Sequence, residues 1–180
     1  MNFVRIKNTD ADIFKQAMYL YANSFPPYEQ RKLKEQLEVM IEPDYHFNLL
    51  YTENTFIGLV LYWEQEHFIY VEHFCTVPEV RNKGYGMKIL DMLAALGKTI
   101  ILEIDPPKDE VSIRRQKFYE RAGYISNQFA HIHLPYQTEY QGHRLVVLSR
   151  PLPLTGEHYL QFNEYLQNKV MFYAEKRAEK

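Results

Sequence analysis

Residues 67–86 read HFIYVEHFCTVPEVRNKGYG, and this stretch decides the fold. β-Branched and aromatic residues from His67 to Val77 predict a strand whose alternation sets Phe68, Tyr70, Glu72, Phe74 and Thr76 on one face and turns His73 to the other. Glu72 is the one charged member of that face. After Pro78 the chain passes through Arg81-Asn82-Lys83-Gly84-Tyr85-Gly86, with two glycines one residue apart, and then changes period. Met87, Leu90, Leu93, Ala94 and Leu96 recur at helical spacing, with Gly97 as the C-terminal cap. Thr99 to Ile104 is an apolar run interrupted by Glu103, which predicts a buried strand parallel to the first and hence a βαβ unit.

Outward from this unit, apolar residues at three-to-four spacing predict a helix from Asp10 to Asn23, stopped by Phe25-Pro26-Pro27. A second helix is expected from Tyr28 to Ile41, with Leu33, Leu37, Met40 and Ile41 along one side. Phe47 to Thr52 and Phe56 to Trp63 read as a hairpin turning at Glu53-Asn54. A helix from Ser112 to Ala122 ends at Gly123, and strands at Tyr124 to Ser126 and Leu145 to Ser149 flank an aromatic, His-rich connection. Tyr159 to Ala174 carries Leu160, Tyr165, Leu166, Val170 and Tyr173 at helical spacing. One domain over residues 1–150 is expected, with residues 151–180 a helical extension that packs back on it or meets a second copy in a homodimer.

The chain of 180 residues is long enough for one sizeable core, and 46% hydrophobic with 24% charged residues is a globular mixture. A formal net charge of -2 with interleaved signs gives no field that would gather nucleic acid. Cys75 is the only cysteine, which rules out an intramolecular disulfide or a cysteine metal cage and suits a reducing compartment. Met1 to Asp10 lacks the apolar core of a signal peptide, and no stretch reaches the roughly 18 to 20 apolar residues of a membrane helix. A cytoplasmic protein without a membrane partner is expected.

Strand, glycine turn and helix together suit an anion, because glycine admits a ligand to the backbone and the first helical turn points unpaired N–H groups at it. Arg81 and Lys83 add positive charge there. The turn has no Gly-Lys-Ser/Thr triplet of the P-loop, and Ile89 stands where a dinucleotide fingerprint needs its third glycine. Arg81-x-x-Gly84-x-Gly86 after Pro78, followed at the expected distance by Lys117-Phe118-Tyr119-Glu120-Arg121-Ala122-Gly123-Tyr124, resembles the GNAT N-acetyltransferase superfamily. The resemblance implies an α/β fold of the α+β type: a mixed, strongly twisted sheet with helices on both faces, here with an extra C-terminal helix. It also implies that acetyl-coenzyme A is the cosubstrate and that pantetheine lies between two parallel strands, ending at Thr76 and Ile104, that splay apart. The pyrophosphate would sit on Arg81, Asn82, Lys83, Gly84, Tyr85 and Gly86, with the backbone of Phe74, Cys75 and Thr76 along the pantetheine amides. Ser112 and Arg115 fall beside the pantetheine arm, where many relatives carry Asn and a small residue.

A lysine-like amine, with a pKa of about 10.4, must lose a proton before it attacks a thioester. Glu72, on the face where relatives place a base, is the first candidate, and the alternative is a carboxylate that binds the ammonium or pairs with Arg81. Glu103 is the second candidate. Tyr119 holds the family position of the tyrosine that protonates the departing thiolate, against a core role beside Phe118. Cys75 and His73 read as core residues. His131 and His133 share a strand face without a third ligand at metal spacing, so they are expected to line a substrate loop or lie at the surface, and no metal is expected. Phe25 to Tyr28, Tyr136 and Tyr140 form an aromatic group for the acceptor pocket or for loop packing. The acceptor is expected to be the amine of a small molecule or peptide. The alternatives are a protein lysine or N-terminus, or a non-catalytic acyl-coenzyme A sensor.

Overall fold

The computed structural model describes residues 1–7 and 12–176. Asp10, the expected start of the first helix, lies outside the described residues, as do the last four positions of the C-terminal extension. Strand β1 (Asn2–Arg5), helices α1 (Asp12–Ser24) and α2 (Leu33–Val39) and strands β2 (Tyr45–Thr52), β3 (Thr55–Glu64) and β4 (Phe68–Thr76) lead to helix α3 (Tyr85–Ala94) and β5 (Thr99–Ile104). Helix α4 (Glu110–Arg121), strands β6 (Ile125–Ser126), β7 (His131–His133) and β8 (His143–Arg150) and helix α5 (Gly156–Tyr165) complete it. The sheet runs β1-β2-β3-β4-β5-β8-β6, with β7 pairing the start of β8. Neighbours are antiparallel except β4 and β5, which are parallel as the βαβ reading requires.

Each face of the sheet is covered. Phe14, Ala17, Leu20 and Tyr21 of α1 are buried against one face with Val39, Met40, Phe162, Leu166 and Val170, so the C-terminal helix packs beside the first two. Ile89, Leu90 and Leu93 of α3 and Ala122 after α4 are buried with the opposite face. Glu53 and Asn54, at φ 48° and 63°, make the two-residue turn whose left-handed backbone matches strand twist. None of the helices among the described residues is long and apolar enough to cross a membrane.

Four expectations need correction. The segment after Pro26 is a short 3-10 turn (Pro27–Glu29) followed by α2, not one helix, and Gln36, Val39 and Met40 face the core while Leu33 and Ile41 are exposed. Gln36 is inside because its amide donates to the hydroxyl of buried Tyr45 at 3.0 Å. Ile89, not Leu96, completes the buried stripe of α3. The last helix ends at Tyr165 and continues as a π turn (Leu166–Val170) and a 3-10 turn (Met171–Tyr173); Phe162, Leu166 and Val170 carry its buried side, and Leu160 is exposed.

The fourth correction concerns β4. Leu61 pairs His73 and Tyr62 pairs Val71, so Glu72 is an extra residue in the ladder. Such a bulge breaks the period-two alternation. Phe68 and Tyr70 share the α1 side with Cys75 and Val77, whereas Phe74 lies on the α3 side with Ile69 and Val71. Glu72 and His73 therefore both reach the α1 side, with His73 Nδ1 3.8 Å from Glu72 Oε2.

Candidate active site

Pairing between β4 and β5 ends at Val71 and Leu102, one residue before Glu72 and Glu103. Past that point the strands part around a cleft of about 900 Å³ whose walls include Phe74, Ile104, Tyr85 and Tyr119. Beyond the bulge β4 is paired only with β3, so its other edge offers unpaired backbone groups to the cleft. At Gly58 an added Cβ would lie 2.3 Å from the Cys75 carbonyl oxygen, so only glycine lets the two backbones approach this closely.

At the far end, Gly84 sits at φ 81° as the N-cap of α3, which has no side-chain cap and so leaves its first-turn N–H groups open. Asn82 is also left-handed, at φ 62°. The space around Gly84 is free to 4 Å of an added Cβ. Gly86 has a different reason: a Cβ there would stand 3.0 Å from Phe118, so it lets α3 approach α4. Arg81 Nε lies 3.4 Å from the Thr76 carbonyl and keeps the guanidinium over the strand end.

Of the catalytic and cofactor residues named from the sequence, all but Lys83 and Ser112 line this cleft, whereas Tyr140 and His131, named for the acceptor side, lie outside it. Lys83 is exposed on the turn. Ser112 closes a capping box with Asp109, whose carboxylate accepts from Val111 N at 2.8 Å and Ser112 N at 2.9 Å, which starts the helix two residues before the expected position. Arg115 donates to Asp105 at 2.9 Å. The Tyr119 ring packs on Phe118 and Tyr124, and its hydroxyl has no hydrogen-bond partner among the described residues. Burial, only partly offset by Arg115, pushes that phenol up to about 12. Burial likewise raises the Cys75 thiol to about 11, as suits an unreactive core thiol.

At the fork lies a buried charged chain. Arg31 and Glu72, with side chains 0% and 1% exposed, pair at 2.6 Å, so the partner of Glu72 is Arg31 and not Arg81. Tyr136 donates to the same carboxylate at 2.5 Å. Burial by itself would raise the Glu72 carboxyl, but Arg31 and His73 outweigh it and hold it well below the usual range. Glu103 accepts from the Tyr70 hydroxyl and contacts His131, and His133 Nε2 is 3.8 Å from its other side. There too burial is outweighed, by His133 first and then His131, and the carboxyl is lowered. His131 and His133 are thus buried, contrary to a surface position. Toward the mouth, ligand atoms of Glu29, Asp105 and His143 lie within 4.8 Å of one another.

A family model described as the acetyltransferase (GNAT) family matches residues 12–124, more than half of the chain. The chain belongs to the GNAT family. The candidate acetyltransferase YjbC of Bacillus subtilis (strain 168) is 24% identical over 105 residues, covering 57% of this chain and 54% of YjbC, so the match spans about half of that curated relative. Among solved structures, a candidate acetyltransferase of the GNAT family from Bacteroides thetaiotaomicron superposes with a TM-score of 0.89 at 29% identity, covering 98% of this chain and all of that one. An aminoglycoside 6'-N-acetyltransferase complexed with coenzyme A shares the fold at a TM-score of 0.56 and 13% identity, over 86% of this chain and 100% of its own.

Within this GNAT frame the sequence reading missed Arg31, Glu29, Asp105 and His143. Arg31 is separated from Glu72 by an entire hairpin, and no local pattern joins them. The one available signal was Glu72 itself, since a carboxylate inside an apolar strand requires a buried partner.

Proposed function

We propose that this chain transfers an acetyl group from acetyl-coenzyme A to a primary amine of a small molecule or peptide by direct attack. The observation that carries this reading is that the free edge of β4, the uncapped start of α3 and Tyr119 all line one cleft. The thioester supplies the acyl group. The N–H groups around Gly84 suit a pyrophosphate, and the β4 edge suits an extended chain of amides. Tyr119 keeps its proton at neutral pH and offers it, unengaged, to a departing sulfur. Glu29, half-buried at the mouth with its carboxylate free of hydrogen bonds among the described residues, is suited to hold an acceptor ammonium. Glu72 and Glu103 act through the side chains they hold. The single reduced cysteine fits a cytoplasmic setting.

Free thiol release from acetyl-coenzyme A with a panel of polyamines, aminoglycosides and lysine peptides tests this. We expect amine-dependent release, with an acetyl mass added to the amine. Binding of acetyl-coenzyme A without amine-dependent release would mark a sensor.

A further inference from the structure

We propose that His133 is the group that takes the proton from the acceptor amine. The inference rests on the acetyl-transfer reading above and names a catalytic residue within it. His133 lies on β7, lines the cleft and has a side chain 7% exposed. Its Nδ1 is 2.5 Å from the Leu134 carbonyl, which can only accept, so Nδ1 carries a ring hydrogen and Nε2 is the nitrogen left to exchange a proton. Nε2 faces oxygens: Tyr136 Oη at 3.4 Å and Glu103 Oε2 at 3.8 Å. The Tyr136 hydrogen is already given to Glu72 at 2.5 Å. A proton arriving at Nε2 would therefore meet one hydroxyl oxygen and one carboxylate, with nothing displaced.

Position supports the same choice. Glu72 and Glu103 are the first residues past the last β4–β5 pair, and His133 with Tyr136 spans the gap between them, at the point where the strands part. Glu29, with a free carboxylate at the mouth, is assigned above to the acceptor ammonium, and the remaining bases are engaged or enclosed. Glu72 is paired with Arg31, and the Glu103 carboxylate is occupied by contacts with His131 and the Tyr70 hydroxyl. His73 donates Nε2 to the Glu29 carbonyl at 2.7 Å, and its buried Nδ1 faces Glu72 Oε2 at 3.8 Å behind Tyr21, Phe25 and Tyr136. Both nitrogens of His143 are closed off from solvent and have no hydrogen-bond partner among the described residues.

In the step, the amine N–H bond breaks, its proton goes to Nε2, and the nitrogen pair forms the bond to the acetyl carbon. The C–S pair leaves with sulfur, which takes its proton from Tyr119, and the proton on the imidazolium passes through solvent to the Tyr119 phenolate, which restores both groups. Groups facing His133 that bear on its pH dependence are Glu103 on β5, Glu72 on β4, His143 on β8, His131 on its own strand and Tyr136 after it.

The test compares His133→Gln with wild type on any amine that wild type acetylates. Expected is a fall in kcat/KM of about 100- to 10,000-fold at neutral pH, with unchanged affinity for acetyl-coenzyme A and a deficit that narrows as pH rises and the free amine grows. His133→Ala should be rescued by added imidazole, which a merely structural role would not allow. Nitrogen-15 spectra of histidine-labelled wild type, which need no variant to fold, should show the His133 ring with its hydrogen on Nδ1. Wild-type turnover in the Gln variant, absence of rescue in a folded Ala variant, or an Nε2–H tautomer overturns the proposal. A wild type silent on every amine would remove the acetyl-transfer reading itself, which is a separate result.

Discussion

Tyr119 is one residue at which chemistry and packing can be separated. Replacing it with Phe removes only a hydroxyl that has no hydrogen-bond partner among the described residues, so folding stability should change by about 1 kcal/mol or less. The account predicts a kcat lowered roughly 10- to 1000-fold with nearly constant affinity for acetyl-coenzyme A, because the donated proton matters where thiolate charge develops. Steady-state kinetics beside calorimetric binding measures both. Glu72 makes the opposite prediction, in stability. Its folded pKa lies below the unfolded value of about 4.3, so the pair contributes fully above that value and is lost as pH falls toward the depressed one. Denaturant midpoints of wild type and Glu72→Gln should therefore converge on acidification below about pH 4 and stay apart above about pH 5. Arg31→Met, which strands a buried carboxylate, should cost about 3 to 5 kcal/mol at neutral pH. Tyr119 was legible in the sequence because its neighbours form a motif, whereas the Arg31–Glu72 pair was not, because long-range ion pairs leave no periodic trace.

Strand β4 shows where reading by element succeeds and where it stops. Its existence, its parallel partner and the turn after it follow from residue type and spacing. The bulge at Glu72 does not, since one extra residue in a ladder leaves the composition of the strand unchanged and only the partner strand reveals it. The start of α4 was placed two residues late because the N-cap is Asp109, and the Ser112 hydroxyl, expected beside the pantetheine arm, is consumed by the capping box. The two glycines of the turn differ in the same terms. Gly84→Val forces a side chain into left-handed backbone, costing about 1 to 3 kcal/mol, and blocks the phosphate approach, so affinity should fall by far more than stability. Gly86→Val instead collides with Phe118, so both should fall. Thermal melts with and without acetyl-coenzyme A distinguish the two patterns.

Across the whole molecule the cofactor side was the legible half. Phosphates are bound by backbone, and backbone conformation is written in glycines and helix starts. The proposed acceptor side draws on Glu29 ahead of α2, Asp105 after β5 and His133, Tyr136 and His143 around the β7–β8 connection, which line one cleft only after the sheet is complete. Their chemistry depends on contacts made by the fold. Helix α5 shows the same limit: its apolar spacing was plain, while its seat beside α1 and α2 came from the three-dimensional packing of Phe162, Leu166 and Val170. The central claim is that the cleft between β4 and β5 is an acetyl-coenzyme A site, and thermal unfolding with single added nucleotides tests it most directly. Ligand that binds the folded chain raises the midpoint by mass action, by about 2.7 kcal/mol of added stability at a hundredfold excess over Kd. The account predicts such a rise with acetyl-coenzyme A, none with NAD or ATP, and its loss in Gly84→Val; a rise with NAD alone, with acetyl-coenzyme A inert, would contradict it.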